Sequence, residues 1–139
     1  ESLEATAEEI RRRVKQIDIY FVVDDFKYLV QGGRVSPAVG KIGDMLNIKL
    51  ILTMKEGRIE PYKKNRGLNA ALRNIRNIVS RGQTAHVGTI YVGSTEMFRQ
   101  MQSNVPSGYE ADLNLIVSSH VGPNTTGVAI EWAAERPFM

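Results

Sequence analysis

The chain has no cysteine and only two histidines among its 139 residues. The first shortage excludes disulfides, thiolate metal sites and cysteine nucleophiles, and it fits a cytoplasmic setting. Long apolar runs are also missing: nothing approaches the roughly 20 residues needed to cross a bilayer. No charged segment leads into an apolar one, so no secretory signal is expected, and a start at Glu1 rather than methionine points to a trimmed piece. Charge of one sign is scarce too, with 18 basic residues against 15 acidic ones. Nucleic-acid binders carry a concentrated basic stripe, and a net charge of +3 spread over the chain is not one. What is present is 42% hydrophobic residues, evenly spread, enough for the core of one domain.

Periodicity supplies the elements. Leu3, Ala7, Ile10, Val14 and Ile17 recur at helical spacing behind a Ser2 cap, which predicts a helix over residues 3–16. Residues 19–23 read as a buried strand, followed by Asp24 and Asp25 as caps for a short helix carrying Phe26, Leu29 and Val30. Gly32-Gly33 ends that helix, with a glycine in the left-handed conformation. Ser36-Pro37 starts another, whose apolar face is Val39, Ile42, Met45 and Leu46. Gly40 and Gly43 within it cost about 1 kcal/mol each relative to alanine, so close packing of a backbone or an acyl chain is expected there. Glu56-Gly57 joins residues 49–55 to 59–64 as a hairpin. A long helix carries Leu68, Ala71, Leu72, Ile75, Ile78 and Val79 and ends near Arg81-Gly82. A strand over 84–92 precedes a helix capped by Ser94 or Thr95, and strands over 111–118 and Thr126–Trp132 close the chain, joined by a loop that holds His120. The pattern predicts an α/β two-layer sandwich with a mixed β-sheet and helices mainly on one face.

Two stretches hold an ionisable side chain between glycines: Gly32-Gly33-Arg34-Val35-Ser36, and His120-Val121-Gly122-Pro123-Asn124-Thr125-Thr126-Gly127. Gly122 and Gly127 permit close approach to His120, and Ser118, Ser119, Asn124, Thr125 and Thr126 add donors around it. Arg34 lies beside a serine-capped helix start, a setting that receives anions; a solvated turn arginine is the plainer alternative. Lys63, Lys64 and Arg66, with Arg73, Arg76 and Arg81 beyond, form a candidate docking surface for an acidic partner. His86, on a strand, reads as structural. No histidine pair or carboxylate–histidine cluster has metal spacing, and no P-loop, G-x-G-x-x-G or G-x-S-x-G motif occurs. Catalysis therefore rests on Asp24 and Asp25 alone, as acid/base groups or metal ligands that would converge with His120 in a hydrolytic site.

A set of strings in order makes the chain recognisable. These are Tyr20-Phe21-Val22-Val23-Asp24, then Tyr28 through Ser36, Leu46-Asn47-Ile48-Lys49 with Ile51-Leu52-Thr53, Gly57-Arg58-Ile59, Asn65-Arg66-Gly67, and His120-Val121-Gly122-Pro123 leading to Gly127-Val128-Ala129. Together they resemble the C-terminal half of the DegV family. Pro37, Asn65 and Asn124 depart from the family pattern, and residues 84–110 match loosely. The resemblance implies the C-terminal domain of a two-domain protein, residues 17–139, with residues 1–16 as the helix that links it to an N-terminal domain of the same protein. It implies one long-chain fatty acid bound between the domains and presented to a separate fatty acid kinase for phospholipid synthesis, by a bacterial carrier that is not itself an enzyme. His120, with Arg34 and the close approach at Gly122, would serve the carboxylate. Arg66, with Lys63 and Lys64, would dock the kinase. No cofactor and no nucleic acid is implied, transient membrane contact is left open, and this half alone is expected to bind fatty acid weakly or not at all.

Overall fold

The computed structural model describes residues 2–93, 95–134 and 137. Its elements in chain order are α1 (Leu3–Val14), β1 (Ile17–Val22), α2 (Lys27–Gln31), α3 (Pro37–Gly43), β2 (Ile48–Lys55), β3 (Arg58–Arg66), α4 (Leu68–Val79), β4 (Thr84–Tyr91), α5 (Glu96–Asn104), β5 (Tyr109–Asp112), α6 (Leu115–Val121) and β6 (Thr126–Trp132). Local chemistry explains most starts. Ser2, Ser36 and Thr95 each accept from a backbone N–H in the first turn of α1, α3 and α5, and Pro37 occupies the first position of α3. Ser94, the other capping candidate, lies outside the described residues. Glu56 and Gly57 both take positive φ, which closes the two-residue hairpin between β2 and β3.

The six strands form one mixed sheet in the order β3-β2-β1-β6-β4-β5. Every neighbouring pair is antiparallel except β4 and β5, which run parallel with α5 as their crossover. Alternation divides the strand residues between two apolar clusters. Tyr20, Val22, Ile51, Val128, Ile130 and Trp132 lie under Leu72, Ile75 and Ile78 of α4 and Met97 and Met101 of α5. This is the expected helical layer of the sandwich. On the opposite face, Phe21, Val23, Leu50 and Leu52 meet Leu29 of α2, Val35, and Val121 of α6. The short helices α2, α3 and α6 cover one part of that face. Farther along the strands, Ile19, Gly88, Ile90 and Ala129 are only half-buried, and Tyr109 and Ala111 are exposed.

Three local expectations need correction. The strand expected over 111–118 ends at Asp112, and Leu115–Val121 is a helix. Its β-branched run suggested a strand, but Asn114 accepts a bond from Val117 N, and Ser118 Oγ lies 2.8 Å from the carbonyls of both Leu113 and Asn114, either of which can take its one proton; the cap outweighs the intrinsic preference. His120 therefore sits in the last turn of α6, not in a loop between strands. The apolar face of α3 excludes Met45 and Leu46, which lie beyond its end at Gly43 and are 58% and 90% exposed. The close approach at Gly40 and Gly43 is real, but the occupants are the chain's own Val30 and Phe26: a Cβ at Gly43 would lie 2.2 Å from the Phe26 ring.

Candidate functional site

The loop after α2 is held from below. Leu29 O accepts from Arg34 N at 2.8 Å and from Val35 N at 3.3 Å, while Leu29 and Val35 are both buried. Gly33, at φ +68, turns the chain so that Arg34 emerges exposed, with Nη1 donating to Gly32 O at 2.8 Å. The end of α6 lies against this loop. Gly122, at φ +81 and ψ 173, takes a conformation restricted to glycine, and a Cβ there would lie 2.4 Å from the Tyr28 ring. Two residues earlier, in the last turn of the helix, His120 lies over Gly32, where a Cβ would come within 2.7 Å of its Nδ1. His120 Nε2 and Arg34 Nη2 face each other at 3.5 Å. That separation is at the outer limit of a direct bond, so the two nitrogens form an open pair near which an acceptor could collect donors from both.

The donors expected around His120 are engaged elsewhere. Thr125 Oγ1 faces the carbonyls of Val121 and Gly122 at 3.0 Å each, Thr126 Oγ1 donates to Ile90 O, and Ser119 Oγ donates to Ile116 O. Asn124 Nδ2 donates to Asp24 Oδ2 at 3.2 Å, and Lys49 Nζ reaches Asp24 Oδ1 at 3.3 Å. Asp25 caps Lys27 N and pairs with its ammonium, which together hold the Asp25 carboxyl below its usual value. Asp24, Asp25 and His120 thus have separate partners, and no group of three or more His, Asp or Glu among the described residues is placed to hold a metal ion.

The basic candidates are divided by the pleat. Lys63 stands opposite Ile51, on the α4 side, where its Nζ donates to Asn74 Oδ1 at 3.2 Å. Asn74 in turn donates to the buried Asn65. Lys64 and Arg66 stand opposite Leu50 and Ile48, on the other side, and both are exposed. Lys64 and Val39, Ile42 and Leu50 line a hollow of about 200 Å³ between α3 and the outer strand.

Two features were not foreseen. Leu115, Ile116 and Val117 of α6 are 85%, 75% and 40% exposed, one turn from His120. Along the same face, Gly88 stands opposite Ala129, and Ile90 opposite the buried Gly127, and Gly88, Ile90 and Ala129 are only half-buried. Glycine inside two adjacent strands was the available signal of close approach. No helix among the described residues is long and apolar enough to cross a membrane.

Comparison with known proteins gives one family. A family model described as "Uncharacterised protein, DegV family" matches residues 1–132. A fatty acid-binding protein of Thermotoga maritima is 29% identical over 91% of this chain and 50% of its own length. Among solved structures, that of a DegV family protein from Thermus thermophilus, described for its fatty acid binding, is 29% identical with a TM-score of 0.74, over 95% of this chain and 51% of its own. The Streptococcus pneumoniae fatty acid kinase B3 protein, solved with linoleic acid, shares the fold at 20% identity and a TM-score of 0.78, over 95% and 50%. The chain spans about half the length of the curated relatives it matches.

Proposed function

Because this chain belongs to the DegV family, we propose that it supplies one wall of a slot for a long-chain fatty acid, closed by a second domain that α1 links to residues 17–139. One observation carries this reading: the His120–Arg34 pair lies on the side of the sheet that also carries a strip of residues, Ile19, Ala129, Gly88 and Ile90, that are only half-buried among the described residues. A carboxylate beside the imidazole and the guanidinium accepts from both, and Gly32 provides the room in which the His120 ring lies over the Arg34 loop, while Gly122 makes room for Tyr28. Hydrocarbon along the strip is shielded only when a second surface covers it. Burying about fourteen methylenes at ~0.8 kcal/mol each yields roughly 11 kcal/mol of gross driving force. Association costs on the order of 4–15 kcal/mol. One open wall therefore binds weakly, and enclosure makes the complex.

The chain acts in this reading as a carrier: it holds the acid with its carboxylate toward solvent for a separate fatty acid kinase that feeds phospholipid synthesis in the bacterial cytoplasm. Lys64 and Arg66, exposed on one side of the outer strand, form the docking surface for that kinase, with Lys63 on the strand's other side at the same edge.

Native mass spectrometry of the full polypeptide that carries this chain is expected to find a co-purified acyl chain. His120→Ala should lower acyl-phosphate formation at least tenfold, whereas Arg66→Glu should weaken kinase turnover while the acyl chain is retained. Unchanged lipid content and unchanged turnover in His120→Ala would remove His120 from the site.

A further inference from the structure

At the end of the open strip away from His120, three elements converge on one carboxylate. Arg13, in the last turn of α1, forks Glu131 of β6: its Nε meets Oε1 at 2.6 Å and its Nη2 meets Oε2 at 2.8 Å. His86 of β4, directly opposite Glu131 in the register, places Nδ1 2.9 Å from Oε2. The His86 ring packs edge-on against Tyr109 of β5, with centroids 5.7 Å apart. The Glu131 side chain is only 13% exposed, and Arg13, then His86, draw its carboxyl down to about 2. Beside the fork, Trp132 N donates to Gln16 O at 3.0 Å, which ties the turn after α1 to the sheet.

By contrast, no residue of α1 is buried, and Leu3, Ile10 and Val14 are 85%, 56% and 58% exposed. Apolar packing does not fix the direction of this helix against the sheet. A bidentate guanidinium–carboxylate pair does so, because two parallel bonds between planar groups restrict rotation as well as distance. We propose that Glu131 is a positioning residue, a clasp through Arg13 and His86 that sets the angle at which α1 leaves the sheet. This rests on the reading of α1 as the link between two walls of a lipid slot: the angle of α1 then sets the width of the slot.

These 139 residues hold no cysteine, so the test is direct once any cysteine elsewhere in the full polypeptide is replaced by serine. Spin labels on cysteines introduced at Glu8 and Lys55, both exposed, report the angle of α1 in the full polypeptide by electron–electron distance measurement. One narrow distribution is expected in the parent, and a distribution at least twice as broad in Glu131→Gln and in Arg13→Gln. The charge-exchanged pair Arg13→Glu with Glu131→Arg should recover the narrow distribution. Arg13 is half-exposed on the helix surface, so its replacement keeps the test valid if Glu131→Gln fails to fold. Release of a dansyl-labelled fatty acid should be several-fold faster in both single variants, with the thermal midpoint within a few degrees of the parent. Distributions unchanged in Arg13→Gln overturn the clasp. A parent that holds no fatty acid overturns the slot instead, while the label distances still judge the clasp.

Discussion

On one face of the sheet, Ile51, Val128 and Ile130 are sealed from solvent beneath Leu72, Ile75 and Met101. On the other face, along the same strands, Ile19, Gly88, Ile90 and Ala129 stay half-open between two polar corners, His120 with Arg34 at one end and Glu131 with Arg13 and His86 at the other. The sealed face is large, branched and oily, as a core that holds a fold together must be. The half-open strip sets Gly88 and Ala129 among isoleucines and is polar at both ends, which suits the slot wall proposed above.

The largest effect expected to separate the faces comes from matched truncations. Ile75→Ala, in α4 and fully buried, should cost ~2–5 kcal/mol in urea unfolding. Ile116→Ala, in α6 and 75% exposed, should stay within about 0.5 kcal/mol. Equal losses would dissolve the distinction.

At the His120 corner, glycine conformation and glycine space can be separated. Gly122→Ala meets both a glycine-only backbone and the Tyr28 ring, and should lose about 1–3 kcal/mol or more. Gly33→Ala, at φ +68 with nothing within 4 Å of an added Cβ, should lose only the left-handed penalty of ~1–2 kcal/mol. The order of the two midpoints is the check, and the reverse order would show that Tyr28 yields easily.

The smallest effect concerns pH at the opposite corner. The Glu131 carboxyl is lowered from 4.5 to about 2 by Arg13 and then His86, with Glu9 and Tyr109 the other titratable groups near the fork. A lowered carboxyl stabilises above its unfolded value and loses that contribution as pH falls through its folded one. The Arg13 Nε–H resonance should therefore keep its bonded position from neutral pH down to 4.5 and move only as pH approaches 2. A midpoint near 4.5 would mean the carboxylate is not held.

How much of this was readable beforehand depended on the range of the interaction. The caps at Ser2, Ser36 and Thr95, the left-handed Gly33 and the Glu56-Gly57 turn were legible because their partners lie within a few residues. The amphipathic pattern of α4 was legible for the same reason, since one helix face repeats every few positions. The failure at α6 arose where two local signals conflicted, a β-branched run and an asparagine cap, and a nearest-neighbour rule could not weigh them. Met45 and Leu46 were placed in the core because they kept the period of α3, although the helix had already ended. The Glu131 clasp was invisible because Arg13 and Glu131 stand 118 positions apart.

By itself, the sequence determined an α/β chain, its family, the glycine corners and the absence of thiol chemistry, because each follows from residue type and near spacing. Only the tertiary structure decided that His120 belongs to a helix end facing Arg34, that Lys63 turns away from Lys64 and Arg66, and that a strip of one sheet face stays half-open. Those outcomes depend on strand order and register, which bring together side chains that local pattern cannot pair.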